Sequence, residues 1–255
     1  MGAIGGLLMG LVGFIAQFVD GALGMGYGVF STSLLVGAGL LPAVASASVH
    51  TAEVFTTLVS GVSHWRMGNL RRDLVLPMII PGVIGGVAGA YLLTAIPGRV
   101  IKPYVAGILL VMGSIVVFRF IRKKKISFDG ESTPVWKIVL LSLIAAFMDA
   151  LGGGGWGPIA TPSLILSENH EPRKVVGSVN LVEFFVTVAA VITFIIRLGP
   201  ESFEWGVVAS LLVGGAIAAP VAAWVCHRLP SRILGILIGA ALVILNARTL
   251  ILSVL

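Results

Sequence analysis

The sequence predicts an all-α polytopic membrane protein made of two inverted repeats, each a broken or re-entrant helix pair followed by three transmembrane helices. Three observations lead to this fold class. The 255 residues are 57% hydrophobic and only 11% charged, whereas a soluble domain carries about 25% charged residues. The apolar runs have the length of about 20 residues that crosses the hydrocarbon of a bilayer. A glycine-rich stretch that begins with an aspartate occurs twice.

The first element is an apolar run that is interrupted by glycines. Residues 20–28 read Asp-Gly-Ala-Leu-Gly-Met-Gly-Tyr-Gly and lie between apolar runs at residues 1–19 and 29–41. In a bilayer, non-helical backbone persists only where protein buries it or where it lines a cavity. The interruption therefore predicts a broken helix whose second half begins at Val29.

The rest of the first half consists of spanning segments and a polar joint. Three apolar segments follow, at residues 43–63, 74–95 and 100–118. The longest polar stretch of the chain then contains Arg122-Lys123-Lys124-Lys125. The predicted division is repeat 1 at residues 1–121, a cytoplasmic linker at 122–134 and repeat 2 at 135–255.

The second half repeats the first. Its apolar segments lie at residues 138–148, 158–166, 175–196, 205–225 and 233–254, with the second interruption after the first of them. One constant offset in residue number aligns Asp20 with Asp149 and Tyr27 with Trp156. Pro158 would begin the second half-helix, since proline is favoured in a first helical turn. Paired interruptions in corresponding places of two halves are typical of a transporter binding site.

The positions of the basic residues favour an inverted arrangement of the repeats. Lys and Arg prefer the cytoplasmic side of a membrane. If each broken segment turns back at its glycines, 13 of the 17 Lys and Arg residues lie on the cytoplasmic side. If each broken segment crosses the membrane instead, 11 of them do. The inverted arrangement also predicts that both termini lie outside.

The composition excludes several other chemistries. The net charge of +6 comes from the loops and reflects topology, so no nucleic-acid partner is expected. A single cysteine, Cys226, excludes an internal disulfide and argues against a thiolate metal site. Neither a metal nor a cofactor is expected. The Gly24-x-Gly26-x-Gly28 spacing lacks the preceding strand that a nucleotide-binding loop requires.

The two glycine stretches are the predicted substrate site. A broken helix presents an N-terminal end whose free N–H groups and dipole attract anions. Close helix packing alone would explain Gly85-Gly86 and Gly214-Gly215, but it does not explain an aspartate at each interruption. The predicted substrate-binding residues are Gly24, Met25, Gly26, Tyr27, Gly28, Ser48, Gly153, Gly154, Gly155, Trp156, Gly157, Ser178 and Asn180.

Four carboxyl groups lie in or beside apolar segments. They form the repeat-related pairs Asp20 with Asp149 and Glu53 with Glu183, and His50 shares a helical face with Glu53. A charge at the bilayer centre costs about 3 kcal/mol or more, so these groups should face a wet cavity or be protonated. The predicted coupling residues, for protons or a cation, are Asp20, His50, Glu53, Asp149 and Glu183. A structural hydrogen-bond network between the halves is the open alternative.

Two other functional classes fit parts of the pattern. An anion channel would need a continuous pore in one conformation. An intramembrane aspartyl protease needs two facing aspartates, but its signature places Gly-x-Gly before the aspartate, whereas here the glycines follow it. The sequence therefore favours a transporter over an enzyme.

Several segments together resemble the TauE/SafE sulfite-exporter family. They are residues 18–28, residues 45–49 (Ala-Ser-Ala-Ser-Val) with Glu53, residues 64–69 (His-Trp-Arg-Met-Gly-Asn), and residues 149–157. The resemblance covers nearly the whole chain and implies a duplicated carrier of a bacterial-type cell (inner) membrane. It implies export of a small anion such as sulfite, sulfoacetate or another sulfur-containing or organic anion. The expected partners are this anion, the lipid bilayer, and protons or a coupling cation, with the site where the broken helices meet near mid-membrane.

Overall fold

A computed structural model describes residues 3–121, 133–167, 172–225 and 231–254. These residues form α-helices and one short 3-10 helix, without a strand, which confirms the all-α fold class. Cys226 and the charged run at residues 122–125 lie outside the described residues. The helices are α1 (Ala3–Leu23), α2 (Tyr27–Gly37), α3 (Pro42–Arg66), α4 (Arg72–Ala95), α5 (Gly98–Ile121), α6 (Val135–Gly152), α7 (Trp156–Ser167), α8 (Pro172–Leu198), α9 (Trp205–Val225) and α10 (Ser231–Val254).

The described helices are those of a multi-pass membrane protein. Six of them, α1, α4, α5, α6, α8 and α9, are long and apolar enough to cross a membrane. The outer face of α4 carries Leu76, Ile80 and Ile84 at a spacing of four residues, with exposed fractions of 69%, 71% and 56%. Such a stripe of exposed aliphatic side chains is stable against lipid rather than water.

Both predicted interruptions are present, and each is three residues long. α1 ends at Leu23 and α2 begins at Tyr27, while α6 ends at Gly152 and α7 begins at Trp156. The half-helices thus begin two residues earlier than Val29 and Pro158, the starts predicted from the sequence. Positive φ angles at Gly24 (69°), Gly26 (125°) and Gly153 (72°) turn the chain at the breaks, a conformation that glycine adopts at little cost.

Helix packing keeps the same pattern when the two halves are exchanged. α1 packs on α9 as α6 packs on α4, and α3 packs on α9 as α8 packs on α4. The equivalent helices α3 and α8 contact each other, as do α5 and α10. This is the packing pattern of a duplicated unit.

The equivalent helices α3 and α8 run in opposite directions. The His50 ring lies 5.9 Å from the Phe194 ring, centroid to centroid, whereas Ser60 donates a hydrogen bond of 2.7 Å to Asn180. Along the contact between the two helices, higher residue numbers of α3 therefore face lower residue numbers of α8, so the helices are antiparallel. Opposite directions of equivalent helices are what inverted repeats require; the placement of the two halves in a membrane stays a prediction.

Glycines bring the outer helix pairs together. A Cβ atom on Gly85 or Gly89 of α4 would collide with the carbonyl oxygens of Leu143 and Phe147 on α6. A Cβ on Gly214 of α9 would collide with the carbonyl oxygen of Gly10 on α1. These glycines serve close packing, which small residues commonly provide between membrane helices.

Candidate functional site

The two breaks contact each other through a reciprocal pair of hydrogen bonds. Thr32 of α2 donates from Oγ1 to the carbonyl oxygen of Gly153 over 2.6 Å. Thr161 of α7 donates in the same way to the carbonyl oxygen of Gly24 over 2.5 Å. The offset that aligns the two aspartates also relates both donors and both acceptors. Each half therefore satisfies a buried carbonyl group in the break of the other half.

Glycines allow this contact to be made backbone to backbone. A Cβ on Gly157 would lie 2.5 Å from Met25 Cα, and a Cβ on Gly28 would lie 3.0 Å from Gly154 Cα. A Cβ on Gly154 would meet the backbone nitrogen of Val29. Predicted substrate-binding residues of both glycine stretches are thus placed at one junction between the halves.

Each aspartate caps the half-helix that follows it. Asp149 Oδ1 accepts hydrogen bonds from the backbone N–H groups of Gly155 (2.8 Å) and Trp156 (3.2 Å). The Asp20 carboxylate accepts one from the backbone N–H of Tyr27. Both aspartates lie in the last turn of the preceding helix, α1 or α6. Their negative charge meets the positive ends of the α2 and α7 dipoles.

His50 links α3 to the second aspartate. Its Nε2 lies 3.2 Å from Asp149 Oδ2, and its Nδ1 lies 2.8 Å from the carbonyl oxygen of Ser46. The Ser46 hydroxyl in turn donates to the carbonyl oxygen of Ala150 over 3.1 Å. Because the carbonyl oxygen of Ser46 only accepts, Nδ1 carries a proton. A second proton on Nε2 would make the contact with Asp149 an ion pair.

Asn180 takes the position of His50 in the other half. Its Nδ2 donates to the carbonyl oxygen of Val176 over 3.1 Å, and its Oδ1 accepts from Ser60 Oγ over 2.7 Å. The backbone contact four residues back is therefore common to both halves, whereas the second partner is not. His50 reaches a carboxylate and Asn180 reaches a hydroxyl.

Several carboxylate oxygens have no hydrogen-bond partner among the described residues. These are Oδ2 of Asp20 and both oxygens of Glu53. Both side chains are 1% exposed. Oε1 of Glu53 lies 3.1 Å from the position that a Cβ on Gly28 would occupy, so this carboxyl group points to the start of α2.

The five predicted coupling residues form one buried cluster. Asp20, His50, Glu53, Asp149 and Glu183 are at most 4% exposed. Their side chains are close enough to act on each other electrostatically. One imidazole faces four carboxyl groups, so full ionisation would leave a buried excess of negative charge. Such a cluster needs protons or a bound cation to be stable.

The predicted substrate-binding serines, Ser48 and Ser178, each accept a hydrogen bond from a loop. Ser48 Oγ accepts from the backbone N–H of Glu204 over 3.1 Å. Ser178 Oγ accepts from the backbone N–H of Arg71 over 2.9 Å and donates to the carbonyl oxygen of Lys174 over 2.7 Å. The equivalent serines thus hold equivalent loops against α3 and α8.

The two aromatic residues at the breaks are buried. Trp156 is 0% exposed and Tyr27 is 1% exposed. Trp156 Nε1 donates to the carbonyl oxygen of Val179 on α8 over 3.1 Å. Trp156 therefore anchors the first turn of α7 to α8, whereas Tyr27 packs in an apolar cluster with residues of α3 and α9.

Other polar residues around the breaks were not predicted as site residues. Thr32 and Thr161 align at the same offset as the two aspartates, which is the signal that identifies them. His64 Nε2 lies 3.0 Å from the carbonyl oxygen of Gly21 and ties the end of α3 to α1. Gln17 is fully buried, and neither of its amide atoms has a partner among the described residues.

Known proteins resemble this chain over most of its length. The family model described as "Sulfite exporter TauE/SafE" matches residues 9–249. The chain is 46% identical to the probable membrane transporter protein YtnM of Bacillus subtilis (strain 168), over 96% of this chain and 82% of that protein. It is 28% identical to the probable membrane transporter protein YdhB of the same organism, over 89% and 91%. No solved structure matches it.

Proposed function

This chain belongs to the sulfite exporter TauE/SafE family, and from that premise we propose that it is a secondary transporter that exports a small anion. The chain is a membrane transporter and not an enzyme. The proposed substrate is sulfite, sulfoacetate or another sulfur-containing or organic anion. The observation that carries the proposal is the reciprocal contact of the two breaks, which brings the N-terminal ends of α2 and α7 together.

The proposed anion site is this junction, near the middle of the membrane. Backbone N–H groups at the start of a helix bind anions without a basic side chain. The breaks present such groups at Tyr27, Gly155 and Trp156. Discontinuous helices that meet at a repeat interface are a common way of building a substrate site in secondary transporters.

The proposed coupling ion is the proton, carried by the buried cluster. An anion beside ionised carboxylates is repelled, and protonation removes the repelling charge. Glu53 and Asp20 have carboxylate oxygens without a hydrogen-bond partner among the described residues, which leaves them free to take up a proton. His50 is a second proton carrier on the face of α3 that faces Asp149.

Alternating access is proposed to come from rocking of the two repeats against each other. The opposite directions of α3 and α8 support an inverted relation between the repeats. An inverted pair of units can expose one central site to either side by exchanging their two conformations. The proposed repeats remain those predicted from the sequence, residues 1–121 and 135–255.

Transport in proteoliposomes tests the proposal. We expect sulfite or sulfoacetate flux that saturates with anion concentration and accelerates with an imposed proton gradient. The double substitution Asp20→Asn with Glu53→Gln should remove the effect of the gradient. Glu201→Gln, in an exposed loop, is the matched control and should leave it unchanged. Unsaturable flux would indicate a channel, and normal gradient dependence in the double variant would assign the carboxyl groups a structural role.

A further inference from the structure

We propose that Asp20 and Asp149 are internal anions that occupy the substrate site until the transported anion replaces them. This inference rests on the proposed function and assigns the substrate class and the source of coupling at the same site. The transported group is a small oxyanion, such as a carboxylate, sulfite or sulfonate, because it takes the place of a carboxylate. The aspartate that leaves the site is neutralised by a proton, so binding of the anion and of the proton go together.

The first observation is that the N–H groups suited to an anion are already in use. Asp149 Oδ1 bridges the N–H groups of Gly155 and Trp156 at 2.8 and 3.2 Å. The Asp20 carboxylate accepts from the N–H of Tyr27 at the equivalent place. A second anion cannot share these donors with an ionised aspartate, since two negative charges a few ångströms apart repel each other.

The second observation is a set of buried carboxylate oxygens beside the breaks that have no hydrogen-bond partner among the described residues. Asp20 Oδ2 has no partner among the described residues, although its side chain is 1% exposed. Both oxygens of Glu53 also have no partner among the described residues. Glu53 Oε1 lies 3.1 Å from the position that a Cβ on Gly28 would occupy. A buried oxygen without a hydrogen bond is a costly arrangement. A proton on it, shared with a bound oxyanion, would supply the missing hydrogen bond.

The charges around the two aspartates make the breaks unequal. Asp149 faces the imidazole of His50 at 3.2 Å. Asp20 has no cationic partner of this kind among the described residues, because Asn180 stands where the other half has histidine. The other titratable groups around the pair are Tyr27 on α2, Glu53 and His64 on α3, and Glu183 on α8. Asp20 is therefore the residue that needs a proton from solution when the anion enters.

The packing of the breaks limits the size of the charged group. Gly154 and Gly157 leave no room for a Cβ atom against Val29 and Met25. A group of the size of the aspartate carboxylate fits the space that the aspartate vacates. The rest of a larger substrate must extend away from the junction.

The decisive measurement is the pH dependence of anion binding to the purified full chain. The probe is sulfoacetate, whose charge is constant between about pH 6 and about pH 8.5, unlike that of sulfite. Methanesulfonate and acetate serve as smaller probes. If one proton binds with each anion, the affinity for the anion should depend on pH wherever Asp20 of the anion-free protein is ionised. In that range it should fall by about tenfold for each unit of increase in pH. Asp20→Asn should flatten this slope and tighten binding at the higher pH, and Glu201→Gln should preserve the wild-type slope.

A second measurement does not depend on the folding of a variant. In the wild-type protein, addition of sulfoacetate should produce an infrared band of a newly protonated carboxyl group. An unchanged slope in a folded Asp20→Asn protein, or binding without a new carboxyl band, overturns the inference while saturable transport keeps the proposed function intact. Absence of binding by all three probes, in wild type and variant at both ends of the pH range, overturns the inference as well. Absence of transport of any tested anion counts against the proposed function itself.

Discussion

At the scale of single residues, His50 and Asn180 stand at equivalent positions of the two halves and have different partners. Both side chains bond to a backbone carbonyl four residues back, at Ser46 and Val176. Only His50 then meets a carboxylate, that of Asp149. The threonines of the junction are shared by both halves, whereas the exchange of imidazole for amide is one chemical asymmetry of the site.

The contact between His50 and Asp149 predicts a strong coupling in a double-mutant cycle. Replacing the imidazole leaves the buried Asp149 carboxylate without its hydrogen-bond partner, which costs about 1–3 kcal/mol. His50→Asn, which introduces the residue type of the other half, should therefore destabilise the protein strongly. Adding Asp149→Asn should restore part of the loss, with a coupling energy of about 0.5–3 kcal/mol. Reversible unfolding in mixed detergent micelles measures both quantities.

Asn180→Ala is the matched control for this cycle. It removes two hydrogen bonds at the equivalent place but leaves no unpaired charge, so combining it with Asp149→Asn should give additive losses. If the losses of His50→Asn and Asp149→Asn are also additive, the two side chains are not paired in the folded protein.

At the scale of elements, α3 is a polar helix placed inside an apolar bundle. Ser46, His50, Glu53 and Ser60 lie on it and are buried, and α2, α8 and α9 surround it. Its 25 residues are long enough to cross a membrane, but it is not among the six described helices that are also apolar enough. Its polar face is kept away from lipid, whereas Phe55 and Leu58 are exposed on its other face. The polar face of α3 therefore contributes to the site.

The contact between the breaks predicts that two glycines in different surroundings respond differently to alanine. Gly157→Ala places a methyl group 2.5 Å from Met25 Cα and should cost about 1–3 kcal/mol, because the backbones must move apart. Gly107→Ala, on α5 with no neighbour within 4 Å of the new Cβ, should be neutral or stabilise the helix by up to about 1 kcal/mol. Thermal denaturation in detergent and transport rates compare them.

Equal stability and equal transport in the two alanine variants would contradict the packing of the junction. Loss of transport in Gly157→Ala with unchanged stability would instead show that the methyl group blocks the anion and leaves the folded junction in place.

The sequence predicts the breaks well because they combine two unusual signals. An aspartate followed by several glycines is rare in an apolar run, and its recurrence at the corresponding place of the second half marks it as a feature of the fold. The predicted start of α7 was two residues too late because Asp149 caps N–H groups six and seven residues further on. No local pattern displays such a contact. The predicted start of α2 was also two residues too late. Thr32 and Thr161 were not predicted because a threonine in a helix usually bonds within its own helix, as Thr51 does with Ala47.

At the scale of the whole molecule, the exchange symmetry of the packing and the opposite directions of α3 and α8 agree with an inverted duplication. The charge pattern adds the predicted orientation, with residues 122–125 in the cytoplasm and both termini outside. The last described helix, α10, ends at Val254, so a reporter joined to Leu255 records the side on which that helix ends.

Reporter fusions test this orientation. Alkaline phosphatase joined after Leu255 should be active, since it folds only outside the cytoplasm, and green fluorescent protein at the same place should be dark when exported unfolded. Insertion of the same reporters after Lys125 is the internal control and should give the opposite result. Fluorescence without phosphatase activity at the C-terminus would overturn the inverted arrangement and favour parallel repeats.

The reciprocal bonds of Thr32 and Thr161 have the form of an isologous dimer interface within one chain. In a two-fold dimer, residue i of one subunit contacts residue j of the other, and the converse contact follows by symmetry. Here Thr32 reaches Gly153 and Thr161 reaches Gly24, with both contacts encoded separately. Neither half holds a complete junction, because each break needs a threonine of the other half to bond its buried carbonyl group.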